Sequence, residues 1–564
     1  MLSDVKIAHQ AKKIPIQLIA RKLGIDKKYL IPYGDYIAKI DLGLLNKIGN
    51  RSKGKYILVT AITPTPLCEG KTVTTIGLSM ALNRIGKLSS VCIRQPSLGP
   101  VFGIKGSAGG GGYSQVLPRE DFDLHFTGDA HAVGLAHNIA AAFLDNSLYR
   151  GNKLGIDTDK IYWRRCVDIG DRFLRNVKIG LGTRQDGVPR ESGFDITASS
   201  ELMAILALVK DSCDLRRRLG RIVVAADVKG NPVTCEDIKV AGLMAVLLKD
   251  AIKPNLIQTI ENTPCFVHTG PFANIAHGNS SIIQDKIALA LSDYVVTEAG
   301  FGADCGAEKF FDIKCRIGAL KPDAAVIVCS VRALKAHGGI CKVVPGKPLE
   351  DCLKRENLPA LEKGICNLEK QILNVKRFGV PVVVAINKFD SDTIREIDFV
   401  KRIALRTGAD DCQVSEVWQK GSKGGTELAK SVVRLAAKPK SFKILYPLDA
   451  PIKEKIRTIA REIYGAKEVK YSALAEKKIR LFNNRGWGKL SICMAKTPLS
   501  LSHDPKLKGR PRGFILPIRD IRAFIGAGFL SPLCGEIQTM PGLPTHPRGE
   551  DIDIDAKGNI AGLS

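Results

Sequence analysis

Short runs rich in Val and Ile alternate with helical patterns along most of this chain of 564 residues. The clearest runs cover residues 56–62, 221–225, 324–329 and 380–386. Each continuous apolar run precedes a polar or glycine-rich turn, which is typical of a parallel strand buried on both faces. Amphipathic stretches such as residues 200–210 lie between the runs and predict helices. The repeated order of strand, turn and helix predicts an α/β fold around a doubly wound, mostly parallel sheet.

The composition is that of an ordinary globular protein. Hydrophobic residues make up 45% of the chain and charged residues 25%, and the mean hydropathy is near zero. These values exclude a disordered, collagen-like or low-complexity chain. No apolar run approaches the ~18 residues that a membrane span needs, and the N-terminal segment lacks the apolar block of a signal peptide. We therefore expect a cytoplasmic protein without a membrane partner.

The pattern along the chain suggests three domains. After about residue 450 a helical segment rich in Lys and Glu extends to about residue 482, and shorter strand-like pieces follow it. A prior of ~150 residues per domain gives three or four units for a chain of this length. We predict a large domain over residues 1–300 and two smaller ones, an α/β domain over 301–455 and a C-terminal α+β domain over 456–564.

Fifteen cysteines are scattered singly along the chain, without any Cys-x-x-Cys pair. Zinc sites and disulfide frameworks use clustered spacings, which are absent from this sequence. We therefore predict that the cysteines are buried free thiols in a reducing compartment.

The chain is strongly basic. It holds 84 Lys and Arg residues against 57 Asp and Glu residues, a net charge of +27. A charge of this sign raises the local concentration of anions. The basic residues are spread along the chain, and the densest short run covers only residues 506–512. This distribution favours anionic small molecules as partners over nucleic acid.

The strongest local motif is TPTPLCEGKT at residues 63–72, between a strand pattern and the helical pattern of residues 73–82. Strand, loop, Gly-Lys-Thr and helix in this order are the context of a P-loop, although the first glycine of that motif is Thr65 here. Lys71 would reach the β- and γ-phosphates of a nucleotide, and Thr72 would hold Mg²⁺. An ordinary strand-to-helix turn is the alternative. The predicted nucleotide-binding residues of this P-loop NTPase-like core are Thr65, Pro66, Leu67, Cys68, Glu69, Gly70, Lys71 and Thr72.

A second motif, Asn-Lys-Phe-Asp at residues 387–390, follows the apolar run at residues 380–386. Asn-Lys-x-Asp at the end of a strand resembles the turn that reads guanine in GTPases. A GTPase-like regulatory protein is therefore a rival hypothesis. It is weakened because no Asp-x-x-Gly switch segment follows residues 65–72, the predicted phosphate loop, at the expected place.

Longer segments identify a family. They read CIRQPSLGPVFGIKGSAGGGGYSQ at residues 92–115, HFTGDAH at 125–131, HTGPFANIAHG at 268–278, TEAGFGAD at 297–304 and MPGLP at 540–544. Together with the phosphate loop they resemble formate–tetrahydrofolate ligase, also called 10-formyltetrahydrofolate synthetase, over essentially the whole chain. We expect a monofunctional enzyme, because nothing precedes the synthetase region that could hold a dehydrogenase and a cyclohydrolase.

The resemblance implies an ATP-dependent reaction. Formate would be phosphorylated to formyl phosphate, and N10 of tetrahydrofolate would then attack the formyl carbon to give 10-formyltetrahydrofolate, ADP and phosphate. By motif match, Lys71 would hold the transferring phosphoryl group and Arg94 the formyl phosphate. The backbone at Gly106 and Gly110 would approach that anion, unless the glycine-rich stretch is merely a flexible loop. His125 and Asp129 would line the reaction centre, with a structural role as the alternative for each histidine, His268 included.

The resemblance also implies a slot for the folate. The family holds the flat pterin ring between a Phe and a Trp, and these match Phe389 and Trp418 here. Core packing is the alternative for this pair. The likeness of residues 387–390 to a guanine reader would then be a coincidence or distant ancestry. The positive charge suits ATP, formyl phosphate and a polyglutamylated folate together.

The sequence departs from the family pattern at two positions. Cys68 replaces the first glycine of Gly-Glu-Gly-Lys, and Gln95 stands where many members have Glu. If position 68 needs a positive φ or close phosphate approach, its side chain costs ~1 kcal/mol or more. A catalytically impaired paralogue is therefore a second alternative. Relatives form homodimers or homotetramers and are stimulated by K⁺ or NH₄⁺, which we carry over as expectations.

Overall fold

A twelve-stranded sheet is the central element of the fold. The computed structural model describes residues 3–49, 51, 53–67, 69–105, 107–340, 343, 349–439, 441–535, 537–556 and 558–563. The strands are β1 Leu30–Pro32, β2 Ala38–Ile40, β3 Lys55–Ala61, β4 Ser89–Ile93, β5 Gly110–Gly111, β6 Ser114–Leu117, β7 Asn255–Thr259, β8 Pro264–Val267, β9 Tyr294–Glu298, β10 Ala324–Cys329, β11 Val382–Asn387 and β12 Asp411–Ser415.

Most of this sheet is parallel, as predicted. The strand order is β1-β2-β7-β8-β4-β9-β3-β10-β11-β12, and every neighbouring pair from β8 to β12 runs parallel. The pairs from β1 to β8 are antiparallel, and β6 adds to β7 with β5 as its hairpin partner. Every residue of β4, β9, β10 and β11 is buried, which explains their continuous apolar sequences.

Helices pack on both faces of the sheet. The α-helices of five or more residues are Asp4–Gln10, Ile16–Lys22, Gly43–Ile48, Lys71–Arg84, Arg119–Asp123, Asp129–Tyr149, Glu201–Leu208, Ser212–Gly220, Ala241–Leu247, Ile282–Leu291, Val331–His337, Leu358–Gly364, Cys366–Lys376, Ile394–Arg406, Thr426–Ala436, Ile452–Thr458 and Ala473–Asn484. Among the described residues, four π-helical segments cover Val101–Lys105, Ala303–Ala307, Phe310–Cys315 and Ile459–Tyr464.

Two sequence predictions about single elements are wrong. Residues 221–225 do not join the parallel sheet: Val223–Asp227 pairs antiparallel with Pro232–Thr234 and with Ile156–Ile161. A short apolar run shows burial on both faces but not the direction of the neighbouring strand. The helix Glu201–Leu208 is not amphipathic, because all of its residues are buried.

Smaller sheets complete the chain. Besides the antiparallel one above, they contain Arg165–Val167, Val177–Ile179, Arg190–Ser192, Phe194–Ile196, Glu468–Tyr471, Ser491–Ile492, Ile515–Ile518, Asp520–Phe524, Phe529–Leu533, Asp553–Ile554 and Ile560–Ala561. Strands on either side of residue 300 pair within the central sheet, as β9 and β10 both flank β3. The division into three domains stays a prediction.

The cysteines are mostly free, with one correction to the sequence prediction. Twelve of the described cysteines are free thiols, ten of them buried. Cys352 is instead disulfide-bonded. Pairing depends on nearness in space, which the spacing of scattered cysteines does not reveal. Within the described ranges, no helix has the length and apolarity to cross a membrane.

Candidate active site

The candidate residues gather at the carboxyl edge of the parallel strands. The phosphate loop follows β3, Arg94 follows β4, and Glu298 ends β9. Asn387 ends β11, Phe389 follows two residues later, and Trp418 follows β12. In parallel α/β sheets this edge forms the crevice that binds ligands. The topology therefore brings together most of the residues that the motifs singled out separately.

The phosphate loop ends in a left-handed glycine. Gly70 has φ +79° and immediately precedes the helix Lys71–Arg84, whose first N–H groups point out of its N-terminus. A Cβ at Gly70 would lie 2.5 Å from Nδ2 of Asn387, so both backbone angle and space require glycine. Asn387 Nδ2 donates to the Glu69 carbonyl at 3.3 Å and ties the loop to β11.

Glu69 shapes the loop from inside. Its Oε1 accepts hydrogen bonds from the N–H and the hydroxyl of Thr65, at 2.7 and 2.9 Å. Its Oε2 accepts a hydrogen bond from Ser330 Oγ at 3.3 Å. Burial raises the pKa of Glu69, while the Thr65 bonds oppose that rise. These hydrogen bonds hold Thr65 and Glu69 in place within the protein itself; Cys68 lies outside the described residues.

A single carboxylate joins the phosphate loop to Arg94. Thr72 Oγ1 donates to Oε2 of Glu298 at 2.8 Å, and Arg94 Nε lies 3.9 Å from Oε1 of the same carboxylate. Glu298 is buried, and the Arg94 side chain is 22% exposed. Arg94 also donates from its guanidinium to the Pro271 carbonyl at 3.3 Å. Thr72 at the helix N-terminus and the Arg94 guanidinium therefore flank one acidic group at the sheet edge.

Thr63, just before the phosphate loop, is held by a buried polar network. Asn367 accepts from the Thr63 N–H at 3.0 Å and donates to its hydroxyl at 2.9 Å. His337 Nδ1 accepts from the Gly509 N–H, so its Nε2–H donates to the Thr63 carbonyl at 2.7 Å. Gln371 bridges the Thr63 hydroxyl and Asp304. Residues from three distant parts of the chain therefore fix the end of β3.

This network predicts a pH-dependent contribution to stability. Burial lowers the pKa of His337 to about 4, whereas an unfolded His has a pKa of ~6.5. Neutral His337 therefore stabilises the fold fully above pH ~6.5, and the contribution is lost as the pH falls toward 4. We expect the free energy of unfolding of wild type relative to His337→Gln to fall by about 2 kcal/mol between pH 7 and pH 5, measured by urea titration.

The control is His546→Gln, since the His546 side chain is 85% exposed. Its stability relative to wild type is expected to change by less than about 0.5 kcal/mol over the same interval. An unchanged difference between wild type and His337→Gln across this pH range would show that His337 is not held neutral by the fold.

His125 and Asp129 occupy different environments. His125 is exposed, and its ring makes no hydrogen bond to any part of the chain that the structure describes. Asp129 is buried: its two oxygens accept from Lys39 Nζ at 2.7 Å and from Asn255 Nδ2 at 2.8 Å. Each oxygen of Asp129 therefore already has a partner within the protein. His268 is fully buried between Ser281 and the Ala251 carbonyl, which fits the structural alternative.

The glycine-rich stretch forms a packed hairpin beneath Trp418. Gly110 has φ +87° and pairs with Gln115 in the hairpin, and Gly112 and Tyr113 form the turn between β5 and β6. Gly112 has φ +56°, and a Cβ there would lie 2.1 Å from the Trp418 carbonyl and 2.8 Å from its indole ring. The Tyr113 N–H donates to the same carbonyl at 2.8 Å. The hairpin therefore supports the Trp418 segment directly; Gly106 lies outside the described residues.

The loops that carry Phe389 and Trp418 lie side by side. Lys388 Nζ donates to Glu416 at 3.1 Å, and Gln419 Nε2 donates to Asp390 at 2.6 Å. These two bonds flank Phe389 on one loop and Trp418 on the other. The Arg332 guanidinium lies 3.5 Å from the centroid of the Phe389 ring and covers one of its faces.

The Trp418 loop also touches the helix of the phosphate loop. A Cβ at Gly77, in the middle of Lys71–Arg84, would lie 2.4 Å from Val417. This close approach depends on the missing side chain, and it places Trp418 next to the helix that begins at Lys71. The Trp418 loop and the phosphate loop are therefore connected through this helix.

Comparison with known proteins places this chain in a family. A family model described as formate–tetrahydrofolate ligase matches residues 2–564. The chain is 56% identical to the formate–tetrahydrofolate ligase of Chloroflexus aggregans and 55% identical to that of Roseiflexus castenholzii, over the full length of each chain. It is 54% identical to the enzyme of that name in Desulforamulus reducens, covering 99% of that protein.

The chain belongs to the formate–tetrahydrofolate ligase family. It is accordingly an enzyme of the carbon–nitrogen ligase class, as the resemblance implied. Neither a GTPase-like protein nor an impaired paralogue gains support from these comparisons. Asp390, which would read guanine in a GTPase, accepts a hydrogen bond from Gln419 instead.

Three residues of this ligase site were missed from sequence. Glu298 faces both Thr72 and Arg94, Asn387 fixes the turn at Gly70, and Lys39 holds Asp129. A polar residue ending a buried strand was the available signal for Glu298 and Asn387. Lys39 lies in a three-residue antiparallel strand and carries no such signal.

The hairpin of this ligase gives a prediction about the aromatic loop. Replacing Gly112 by Ala places a methyl group against the Trp418 carbonyl and ring. We expect the KM for tetrahydrofolate to rise at least ~10-fold, because the Trp418 loop must shift. The KM for the nucleotide is expected to change less than ~2-fold. Steady-state kinetics with each substrate varied in turn will measure this.

The matched control for backbone strain is Gly86→Ala. Gly86 has φ +78°, but no atom lies within 4 Å of its added Cβ. That variant is expected to lose stability, by about 1 kcal/mol, and to keep both KM values. Equal KM values in Gly112→Ala and wild type would indicate that the hairpin does not position Trp418.

Proposed function

We propose that this ligase uses Mg-ATP to join formate to N10 of tetrahydrofolate, giving 10-formyltetrahydrofolate, ADP and phosphate through formyl phosphate. The observation that carries the proposal is the convergence on Glu298 of the phosphate loop, through Thr72, and of Arg94. Such a site positions a phosphoryl group and neutralises its charge, which is most of what phosphoryl transfer requires.

The chemistry explains why a phosphate site and an amine substrate belong together. Formate resists attack because its negative charge is delocalised next to the carbon. When a formate oxygen attacks the γ-phosphorus, the bond to ADP breaks and a mixed anhydride forms. The N10 lone pair then attacks the formyl carbon, phosphate leaves, and N10 loses a proton. Both steps develop negative charge on oxygen atoms, where preorganised cations lower the barrier.

Lys71 and Arg94 supply those cations. The P-loop NTPase-like core would bind the nucleotide phosphates through the backbone of Thr65 to Thr72 and the N-terminus of the helix Lys71–Arg84. Lys71 would hold the transferring phosphoryl group. The planar guanidinium of Arg94 would bind formyl phosphate through two donors, with backbone at Gly106 and Gly110 approaching the same anion.

The metal would lie between Thr72 and Glu298. Mg²⁺ prefers oxygen ligands, usually one or two carboxylates together with phosphate oxygens and water. The Thr72 hydroxyl and the Glu298 carboxylate, 2.8 Å apart, fit that donor set. When bound, the ion would neutralise charge on the β- and γ-phosphates. Glu298 and Thr72 would keep it next to the phosphate loop.

Phe389 and Trp418 would hold the folate. With one face of Phe389 against Arg332, the pterin would stack on the free side of that ring and on Trp418. The chain's net charge of +27 suits a polyglutamylated substrate. The proximity of the Trp418 loop to the phosphate-loop helix would bring N10 near formyl phosphate.

His125 and Asp129 would have separate roles. The exposed ring of His125 is available to order the anionic intermediate or to accept the N10 proton. Asp129 would act as a positioning residue, since its bonds to Lys39 and Asn255 fix the first turn of the helix Asp129–Tyr149.

The wider proposal follows the family. It includes stimulation by K⁺ or NH₄⁺, a homodimer or homotetramer, a cytoplasmic location, and no nucleic-acid or membrane partner. It also includes the three domains predicted above, with nucleotide and formyl phosphate assigned to residues 1–300 and the folate slot to residues 301–455.

The decisive test is formation of 10-formyltetrahydrofolate by purified protein with Mg-ATP, formate, tetrahydrofolate and K⁺. Product is expected only when all three substrates are present, and GTP is expected to replace ATP poorly. Absence of product from folded protein, or equal use of GTP, would overturn the proposal. Restoration of activity by Cys68→Gly would then identify the impaired paralogue.

A further inference from the structure

A basic pocket lies apart from the candidate active site, along the helix Cys366–Lys376. Its volume is about 800 Å³, and seven of its twelve lining residues are Lys or Arg, against one Glu. Lys370, Lys376 and Arg377 come from this helix and its C-terminal end. Arg510 and Arg512 come from the densest basic run of the sequence, which the proposed reaction does not use.

Most of this positive charge is not neutralised by the protein. Lys376 pairs with Asp410 at 2.9 Å, and Arg377 pairs with Glu462, the pocket's own acid. Apart from Lys370, the pocket has four more basic residues, and none of them makes an ion pair with any described residue. They are Lys443, Arg461, Arg510 and Arg512. Clustered like charges repel one another, so an unneutralised concave cluster favours a multivalent counter-ion.

Lys370 shows the effect of this potential. Its side chain is largely buried, and Nζ donates to the Glu462 carbonyl at 2.6 Å. Burial, with a smaller effect from the nearby charges of Arg510 and Arg377, lowers the pKa of Lys370 to about 8. A bound anion would offset both repulsions.

The pocket extends along the helix toward the edge of the sheet opposite to the candidate active site. Asn367, at the helix N-terminus, contacts Thr63 at the carboxyl edge of the sheet. Lys376, at the other end, contacts Asp410, which binds the first N–H of β11 at the opposite edge. Lys376 and Arg377 therefore place one end of the pocket away from the edge where Lys71 and Arg94 lie. A bridge links the two: Gly509, next to Arg510, bonds both Asn367 and His337.

We propose that this basic pocket binds a compact multivalent phosphate anion, such as the polyphosphate chain of a nucleotide or a free polyphosphate, as a second ligand of the enzyme. Four arginine forks in one cavity match the closely spaced oxygens of linked phosphates. An oligoglutamate chain spreads its carboxylates along an extended backbone of ~3.3 Å per residue and matches such a cavity less well.

The experiment is calorimetric titration of tripolyphosphate into the full-length Lys71→Ala/Arg94→Gln protein, which lacks the two cations of the proposed active site. One tripolyphosphate per chain is expected to bind. In the same background, Arg461→Gln/Arg512→Gln is expected to raise the Kd at least tenfold. Arg84→Gln/Arg402→Gln, which removes the same charge at exposed positions outside the pocket, is expected to leave the Kd within twofold.

Titrations with ATP and with tetraglutamate identify the ligand class. Binding of ATP at the same site supports a nucleotide source, and binding of tripolyphosphate alone supports a free polyphosphate. The proposal is overturned if tripolyphosphate does not bind the Lys71→Ala/Arg94→Gln protein. It is also overturned if both pairs of arginine substitutions raise the Kd equally, or if tetraglutamate binds more tightly than tripolyphosphate. Should Arg461→Gln/Arg512→Gln fail to fold, Lys443→Gln/Arg461→Gln provides the same comparison at two exposed side chains.

Discussion

Replacing Lys71 by Ala is expected to lower kcat for 10-formyltetrahydrofolate formation by a factor of ~10³ or more. Lys71 begins the helix behind the left-handed Gly70, where a bound phosphate group would meet both the helix N-terminus and the ammonium. In the proposed reaction its charge would be required most as the γ-phosphoryl group moves from ADP to formate. A loss of this size corresponds to about 4 kcal/mol of transition-state stabilisation.

Two measurements separate this catalytic role from a structural one. Lys87→Ala, just beyond the other end of the same helix, removes an equal charge and is expected to keep activity within twofold. The thermal midpoint of Lys71→Ala is expected to stay within a few degrees of wild type. Formate-dependent release of ADP without tetrahydrofolate should also be lost in Lys71→Ala. Retention of that half-reaction would place Lys71 outside the phosphoryl-transfer step.

The sequence predicted the elements of the sheet that are buried on both faces. The run at residues 324–329 coincides with β10, and the run at 56–62 is shifted by one residue from β3. Such strands have continuous apolar sequences because helices cover them on both sides. The sequence could not predict whether Val223–Asp227 pairs with parallel or antiparallel neighbours, since a buried strand has the same apolar sequence in both cases.

The candidate site was predictable only where chemistry follows a local motif. The phosphate loop could be predicted because strand, glycine, lysine and helix are adjacent in the chain, and the structure confirms the strand and the helix. Glu298 lies 226 residues from Thr72, and its contact depends on β9 pairing with β3. Lys39 and Asp129 meet across the sheet through a similar long-range contact. These contacts depend on how distant strands pair, which a local sequence pattern does not predict.

The topology also explains how one edge serves two substrates. β3, β4 and β9 end at the phosphate loop, Arg94 and Glu298, whereas β11 and β12 end at Phe389 and Trp418. Asn387 joins the groups by contacting the loop at Gly70 from the end of β11. With the proposed site assignments, a shift of β11 would therefore disturb the nucleotide and the folate together. In the proposed mechanism this coupling would favour transfer of the acyl phosphate between neighbouring sites without release.

Glu298→Gln is expected to lower kcat by ~10²-fold or more and to raise the Mg²⁺ concentration needed for half-maximal activity by at least ~10-fold. The amide oxygen can still accept the Thr72 hydrogen bond seen at 2.8 Å, so the fold should persist. The negative charge is lost, and with it the attraction for the divalent ion and for the nearby Arg94. Activity measured against Mg²⁺ concentration at saturating ATP will show both changes.

Thr72 provides the matched pair that assigns the effect to the metal. Thr72→Ser keeps the hydroxyl and is expected to stay within ~5-fold of wild type at all Mg²⁺ concentrations. Thr72→Val keeps the shape but loses the oxygen, and it should shift the Mg²⁺ dependence in the same direction as Glu298→Gln. Because both residues would bind one ion, the double variant should lose less than the product of the two single losses. If kcat falls in Glu298→Gln while the Mg²⁺ dependence stays that of wild type, Glu298 acts by orienting Arg94 and not by holding the metal.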